Sequence, residues 1–326
     1  MKAVVRGAAI GLVSGLLAFR PAIAADYPER AVTILVPFAP GGGTDVLGRI
    51  LARKLGERFG KTFVVENRPG AGTSIAAAAV AKAPPDGYTL LMSVSSTFAV
   101  NPTLYKKLPY DPDTELVPVS LLCTVPFVLV VNPALPVKSV ADLIRLAKEK
   151  PGQLSYGSGG VGAAHHLFAE LFKSMTGTEM THVPYKGSLP ALTDVVAGNI
   201  QWMFSDLAPS LPLIKAGKLR ALAVTTRERA EAAPDIPPLA EVGVPGYDAA
   251  AWQMLAAPAG IPDDVLVKLN GAVNEIVRSP EVSQQFVKLG LVPLGRSAPD
   301  ELKRFVRSEG VRWSEVVKRA GIAGTE

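Results

Sequence analysis

Ala31-Val-Thr-Ile-Leu-Val-Pro37 runs directly into Phe38-Ala-Pro-Gly-Gly-Gly-Thr-Asp45, and this join sets the fold class. The first seven residues are apolar or β-branched with no polar alternation, the pattern of a strand buried on both faces. Proline and three successive glycines then stop the strand. A helical pattern follows to about Phe59. The same order recurs at once: a strand over Thr62–Glu66, the loop Pro69-Gly-Ala-Gly72, an alanine-rich helix over Ser74–Lys82, and a strand over Thr89–Ser93. Strands alternating with helices predict an α/β domain with a mainly parallel sheet.

Further along, Val117–Thr124 and Phe127–Val131 are apolar runs broken by Pro126, and they read as a crossover into a second domain. That domain repeats the pattern. A helix is expected over Val140–Glu149, a strand over Leu154–Tyr156, a glycine loop, and a helix from about Ala163 to Met175. A strand over His182–Tyr185, a helix over Leu189–Ala197 and strands over Ile200–Phe204 and Leu219–Thr225 complete it. Pro234–Tyr247 reads as connecting loop, and Trp252–Ala257 as the strand that returns the chain to the first domain. Two helices are expected to close the protein. In the last, Leu302, Phe305, Val306, Trp313, Val316 and Val317 share one face at helical spacing.

Composition narrows the function. Of 326 residues, 48% are apolar and 19% charged, which excludes general disorder. A single cysteine, Cys123, excludes an internal disulfide and a cysteine-rich zinc site, and its apolar surroundings predict a buried thiol. Lys2 and Arg6 precede an apolar run from Gly7 to Phe19, and Ala22-Ile-Ala24 offers small residues for cleavage. This three-part pattern predicts a secretory signal over residues 1–24. Its removal takes three basic residues and no acid, and lowers the formal charge from +5 to +2. No basic stripe remains to suggest nucleic acid.

The chemistry concentrates in glycine-rich loops that open helices. Pro40, Gly41, Gly42, Gly43 and Thr44 lead into a helix whose free N–H groups favour an anion. No Lys-Ser/Thr follows, so this is not a nucleotide P-loop. Asp45, in the first helical turn, reads as complementing the helix dipole. Gly157, Gly159 and Gly162 match G-x-G-x-x-G spacing, but the next strand ends in Pro184-Tyr-Lys-Gly187 without the acid that a dinucleotide ribose needs. Ser158, Gly159 and Gly160 therefore suit a small anion. Thr73 reads as a helix cap or a ligand contact, and Ser93, Ser95, Ser96 and Thr97 as residues that could line a cleft or simply form a loop. Asp206 suits either a ligand hydroxyl or ammonium group or a loop cap. His165 and His166 are adjacent and make a poor metal pair, and Tyr156 spoils a G-x-S-x-G elbow at Ser158. No metal, no cofactor and no catalytic group is expected. Trp202 and Trp252 read as core or cleft wall.

Several motifs, in order and spacing, carry a resemblance. They are Val36-Pro-Phe-Ala-Pro-Gly-Gly-Gly-Thr-Asp45, Val65-Glu-Asn-Arg-Pro-Gly-Ala-Gly72, Pro85-Asp-Gly-Tyr-Thr-Leu90, Leu108-Pro-Tyr-Asp111, His182-Val-Pro-Tyr-Lys-Gly187 and Leu219-Arg-Ala-Leu-Ala-Val224. Through essentially all of the chain beyond residue 24, the sequence resembles the periplasmic solute-binding receptors of tripartite tricarboxylate transporters, the Bordetella uptake gene (Bug) receptors. The resemblance implies an α/β, two-lobed periplasmic binding protein of type II-like form, with two crossover strands and a ligand cleft between the lobes. Lobe 1 would comprise residues 25–124 plus 248–326, and lobe 2 residues 125–247. It further implies a small carboxylate ligand, permease subunits as membrane partners, a periplasmic location and a monomer. The family's carboxylate-binding loop falls on residues 40–45, the facing loop on 157–162, and its His-Leu position on His166. Two facing helix N-termini would suit both ends of a diacid. A sensory receptor is the alternative, and an exported enzyme a more distant one.

The chain departs from the family pattern at Thr73 and Ala76, where glycine is frequent, and at Val161, often polar. Met254 replaces a frequent glycine, and Ser205-Asp206 stands where Asp-Asn is common. These departures bear on which ligand binds, not on the fold.

Overall fold

The protein was analysed as a computed structural model that describes residues 27–295 and 297–326. The expected export signal lies outside the described residues. In chain order the elements are β1 (Val32–Val36), α1 (Gly43–Phe59), β2 (Phe63–Asn67), α2 (Ser74–Ala81), β3 (Thr89–Val94), α3 (Asn101–Leu104), β4 (Leu116–Val125) and β5 (Phe127–Val131). There follow α4 (Val140–Glu149), β6 (Ser155–Ser158), α5 (Ala164–Thr176), β7 (Thr181–Pro184), α6 (Ser188–Ala197), β8 (Trp202–Asp206), α7 (Leu207–Lys215) and β9 (Arg220–Val224). β10 (Ala251–Pro258), α8 (Asp263–Arg278), α9 (Pro280–Lys288), β11 (Val292–Pro293) and α10 (Pro299–Arg319) complete the chain.

Two sheets form. The first runs β11-β4-β10-β3-β1-β2 and the second β7-β6-β8-β5-β9. Each holds a parallel set built by βαβ units: β1 pairs with β2 and β3, and β6 with β7 and β8. The expectation of mainly parallel sheets needs correction, because β10 runs antiparallel to β3 and β4, and β5 antiparallel to β8 and β9. A strand that arrives from the other sheet is not joined by a helical crossover, so the rule that keeps such strands parallel does not bind it.

The chain passes between the sheets twice, and the two passages are tied together. Pro126 separates β4 from β5, and the return enters β10 at Ala251. Thr225, fully buried, joins both: its N–H donates to the Phe127 carbonyl at 2.9 Å, its hydroxyl accepts the Phe127 N–H at 3.0 Å, and its carbonyl accepts the Ala249 N–H at 2.9 Å.

Three local expectations change. The chain closes with three helices, because Pro280 cannot continue α8 but fits the first turn of α9. The stretch after β3, for which a loop was one alternative, is helical: a π-helical turn over Ser96–Val100 leads into α3. Residues 207–215 form α7 although Pro209 and Pro212 argue against a helix; burial of Leu207 and Ser210 outweighs the lost backbone bond.

One apolar cluster runs from Leu35 and Leu91 in the first sheet to Leu129 and Trp202 in the second, so the lobes share a core. α10 bridges them. Phe305 packs edge-on against Trp252 of β10, ring centres 5.4 Å apart, and Trp313 lies 5.4 Å from Phe168 of α5. Glu309 accepts both indole N–H groups, from Trp252 at 3.1 Å and from Trp313 at 3.0 Å. Replacing Trp313 with Ala should cost about 3–5 kcal/mol of stability, as for other fully buried aromatic side chains. Denaturant unfolding measures this, and a loss below about 1 kcal/mol would contradict the bridging role of α10.

Candidate functional site

The cleft between the two sheets has a volume of about 510 Å³. From the first sheet's side it is lined by Phe38, Gly72, Thr73, Val94, Ser95, Ser96, Asn101, Leu104 and Tyr105. From the second sheet's side come Phe127, Gly159, Val161, Gly162, Ala163, Ala164, His165, Gly187, Ser188 and Asp206. Val125, Ala251, Trp252 and Gln253, from the passages between sheets, form the floor. These residues include no lysine or arginine.

Positive potential comes from helix ends instead. The residues preceding α2, α5, α6 and α7 are Thr73, Ala163, Gly187 and Asp206; all four line the cleft, and none caps its helix with a side chain. Those four helices carry no acid in the first turn. By contrast α1, α4, α8, α9 and α10, which open elsewhere, all do: Asp45, Asp142, Asp263 and Asp264, Glu281, and Asp300 and Glu301. An acid in the first turn complements the helix dipole, and its absence leaves that end for an external anion.

The lobe 1 wall is preformed under strain. Ala71 and Thr73 are the two non-glycine residues with positive φ among the described residues, at 45° and 85°. For β-branched Thr73 this is an outlier. Thr73 Oγ1 lies 3.1 Å from Thr97 Oγ1, and Asn101 Nδ2 donates to the Gly72 carbonyl at 2.8 Å, which holds the loop in place.

On the lobe 2 side, His165 Nε2 lies 3.1 Å from Asp206 Oδ2, and the His165 ring meets Phe127 edge-on at 4.9 Å. Burial acts to raise the Asp206 carboxyl, but the neighbouring His165 and the Ser188 hydroxyl outweigh it and hold the group below the usual carboxylate range.

Comparison with known proteins settles what kind of cleft this is. Residues 47–322 match the tripartite tricarboxylate transporter family receptor. The chain belongs to that family. It is 39% identical over 316 residues to protein BugT of Bordetella pertussis, covering 96% of this chain and 97% of BugT. Among solved structures it is similar to an R. palustris protein with adipate, at 43% identity and TM-score 0.82, covering 91% of this chain and 99% of that one. MatC from Rhodopseudomonas palustris, with bound malate, is 32% identical with TM-score 0.77, covering 89% and 100%. The family is one of periplasmic solute-binding receptors, not of enzymes.

Within this receptor the residues singled out from sequence divide into two groups. Thr73, Ser95, Gly159 and Asp206 line the cleft. Pro40, Gly41, Gly42 and Gly43 are exposed and do not line it; of that loop region only Phe38 does. The reason is Asp45. Its buried carboxylate accepts the Gly41 N–H at 2.8 Å, Arg49 Nε at 2.9 Å and Asn67 Nδ2 at 2.8 Å, so the α1 end already holds an anion. Arg49 above all holds that carboxyl down, to about 2. Thr44 and Ser93 are buried off the cleft.

Ser158, Gly160 and His166 act behind the cleft wall. Ser158 is fully buried; its Oγ lies 2.6 Å from His182 Nε2, donates to the Gly160 carbonyl at 3.0 Å and accepts the Gly160 N–H at 3.1 Å. His166 stacks on His182, ring centres 3.8 Å apart, and its Nδ1 accepts the Gly162 N–H at 3.2 Å. These bonds shape residues 159–162. The histidine that reaches the cleft is His165, one helical step away. Ser96, expected as a possible cleft residue, also lines it, whereas His165, Asn101, Tyr105, Ser188 and Gln253 went unassigned from sequence. The readable signal was the set of helix starts lacking an acid.

Burial lowers His166 to about 4 and His182 to about 3 from 6.5. Both stay neutral in the folded protein while the unfolded chain takes up protons near 6.5, so stability is full above that pH. It should fall as pH drops from about 6.5 towards 4. A melting-temperature series checks this, and the His166→Gln, His182→Gln double variant should show a shallower slope.

Gly162 faces Leu104 across the cleft: a Cβ added there would stand 2.3 Å from Leu104 Cδ2, at φ +72°. Gly162→Ala should therefore push the lobes apart and weaken ligand binding at least tenfold, with a smaller effect on melting temperature. Unchanged affinity by calorimetry would place lobe closure elsewhere.

Proposed function

We propose that this chain is an exported, monomeric periplasmic receptor that captures a small carboxylate in the cleft and delivers it to the permease subunits of a tripartite tricarboxylate transporter. The observation that carries this reading is the convergence on one cleft of four helix N-termini that have no side-chain cap bond and no acid in the first turn, with no lysine or arginine among the described lining residues. Backbone N–H groups and the hydroxyls of Ser95, Ser96 and Ser188 then supply the hydrogen bonds. Bonds of this kind to an ionised acceptor are roughly twice as strong as neutral ones. Closing the lobes excludes water and strengthens them further.

The site is suited to holding a ligand rather than transforming it. Ser158 and His182 are in contact, but Ser158 is fully buried and its hydroxyl is committed to the loop. His165 engages Asp206, and no serine is paired with it as a nucleophile would be. Adipate and malate, bound by two similar proteins, are acids of the size this cleft takes.

The test is a thermal-shift panel on protein refolded to remove bound ligand, using dicarboxylates, citrate, acidic amino acids, aromatic acids and neutral molecules of matched size. An acid at 100 times its dissociation constant should add about 2.7 kcal/mol of stability. Equal shifts from acids and neutral controls, or none from any acid, would overturn the reading.

A further inference from the structure

The cleft already contains one carboxylate. Asp206 is the single acidic residue among its lining residues, with a third of its side chain exposed there. It stands immediately before α7, and His165 Nε2 on α5 fixes Oδ2 at 3.1 Å. The hydroxyl of Ser188, at the start of α6, lies beside it. The lobe 2 helix ends thus face a resident anion, much as the α1 end faces Asp45.

The two cases differ in one respect. Asp45 is closed off by Arg49, Asn67 and Gly41, whereas Asp206 has no lysine or arginine partner among the described residues and remains open to the cleft. A second observation sits on the floor. Gln253 is more than nine-tenths buried, lines the cleft, and its Oε1 has no hydrogen-bond partner. Gln253 Oε1 is an acceptor without a donor, and a buried acceptor left unpaired is costly; Asp206 is reached by His165 and Ser188 but keeps its negative charge towards the cleft. A ligand carboxylate placed against Asp206 would add repulsion instead of a bond. A ligand donor would satisfy both groups.

We infer that this receptor takes an acid with a single carboxylate, which carries a hydrogen-bond donor, ammonium or hydroxyl, at its other end, and that Asp206 is the residue that selects it over a plain diacid. The carboxylate is left to the lobe 1 side, where the hydroxyls of Ser95 and Ser96 stand beside the uncapped start of α2. Between the ends, Phe127, Trp252, Tyr105 and Val161 offer apolar walls to the ligand's body. This inference rests on the carboxylate-receptor reading and sharpens it.

The experiment uses matched ligands that differ only at the far end. On a six-carbon frame these are adipate, 6-hydroxyhexanoate and 6-aminohexanoate; on a benzene frame, terephthalate, 4-(hydroxymethyl)benzoate and 4-(aminomethyl)benzoate. Calorimetry on the wild-type protein should give at least tenfold tighter binding to a donor-ended acid than to the diacid on the same frame. The order of the hydroxyl- and ammonium-ended acids identifies the donor. Asp206→Asn should reduce that preference to threefold or less, or invert it. Diacids bound as tightly as donor-ended acids on both frames, or a preference unchanged by Asp206→Asn, would overturn the inference while leaving the receptor reading intact. No acid bound on either frame, with none active in the wider panel, would remove both. The wild-type comparison needs no variant, so it stands even if Asp206→Asn folds poorly.

Discussion

The first N–H groups of a helix have no partner within it, and something else must accept them. In this protein that constraint sorts the helices. Ser139 accepts the Asp142 N–H at the start of α4, and Asp45 places a carboxylate in the first turn of α1. The starts of α2, α5, α6 and α7 have neither a side-chain cap bond nor an acid in the first turn, and all four meet at one place, where Asp206 stands before α7. Each follows a strand of a parallel set, and helices that follow parallel strands open at the same edge of the sheet; α1 follows β1 in the same way but carries Asp45 in its first turn. Topology thus collects the unsatisfied donors, and the two sheets turn those edges towards each other. The cleft follows from the fold, and the anion preference proposed for it rests on what the first turns omit.

A cleft between lobes is useful only if the lobes keep a defined relation, and two features provide it. Thr225 binds both passages of the chain, so neither can shift without straining the other. α10 then spans the outside. Glu309 holds the indoles of Trp252, a cleft-floor residue, and Trp313, which packs on lobe 2. A movement of the floor on ligand binding is thereby coupled through one carboxylate to the contact between lobes. Such coupling suits a protein whose closed shape a partner must distinguish from its open one.

The sequence displayed the elements more clearly than the site. Strands such as Val32–Val36 and Phe127–Val131 are continuous apolar runs, and no alternative structure buries them as well. Helix ends at glycine, such as Gly60 after α1, were equally readable. α7 was not, because Pro209 and Pro212 speak against a helix locally and only tertiary burial reverses them. The site misled for a related reason. Glycine content draws attention to residues 40–43, but which loop faces the cleft depends on Asp45 folding back onto Gly41, a bond that spacing does not reveal. His165 and His166 pose the same difficulty: adjacent residues on a helix point apart, and only packing against Phe127 or His182 shows which one reaches the cleft.

The strained loop before α2 shows why the cleft wall is firm before any ligand arrives. Residues held at positive φ cost of order 1–3 kcal/mol each, and they persist only where surrounding bonds over-determine them. Here Thr97 and Asn101 hold Thr73 and Gly72, while the Tyr110 hydroxyl, donating to the Thr97 carbonyl at 2.7 Å, anchors the partner itself. Across the cleft, the stacked His166 and His182 and buried Ser158 do the same for residues 159–162. Ordering a flexible loop on binding would subtract from affinity. Both loops are already ordered by bonds that lie behind the wall, so a ligand spends little on arranging its site and the remaining motion is that of whole lobes. That is a division that suits a solute-binding receptor: surfaces ordered before the ligand arrives, on two lobes that share one cleft.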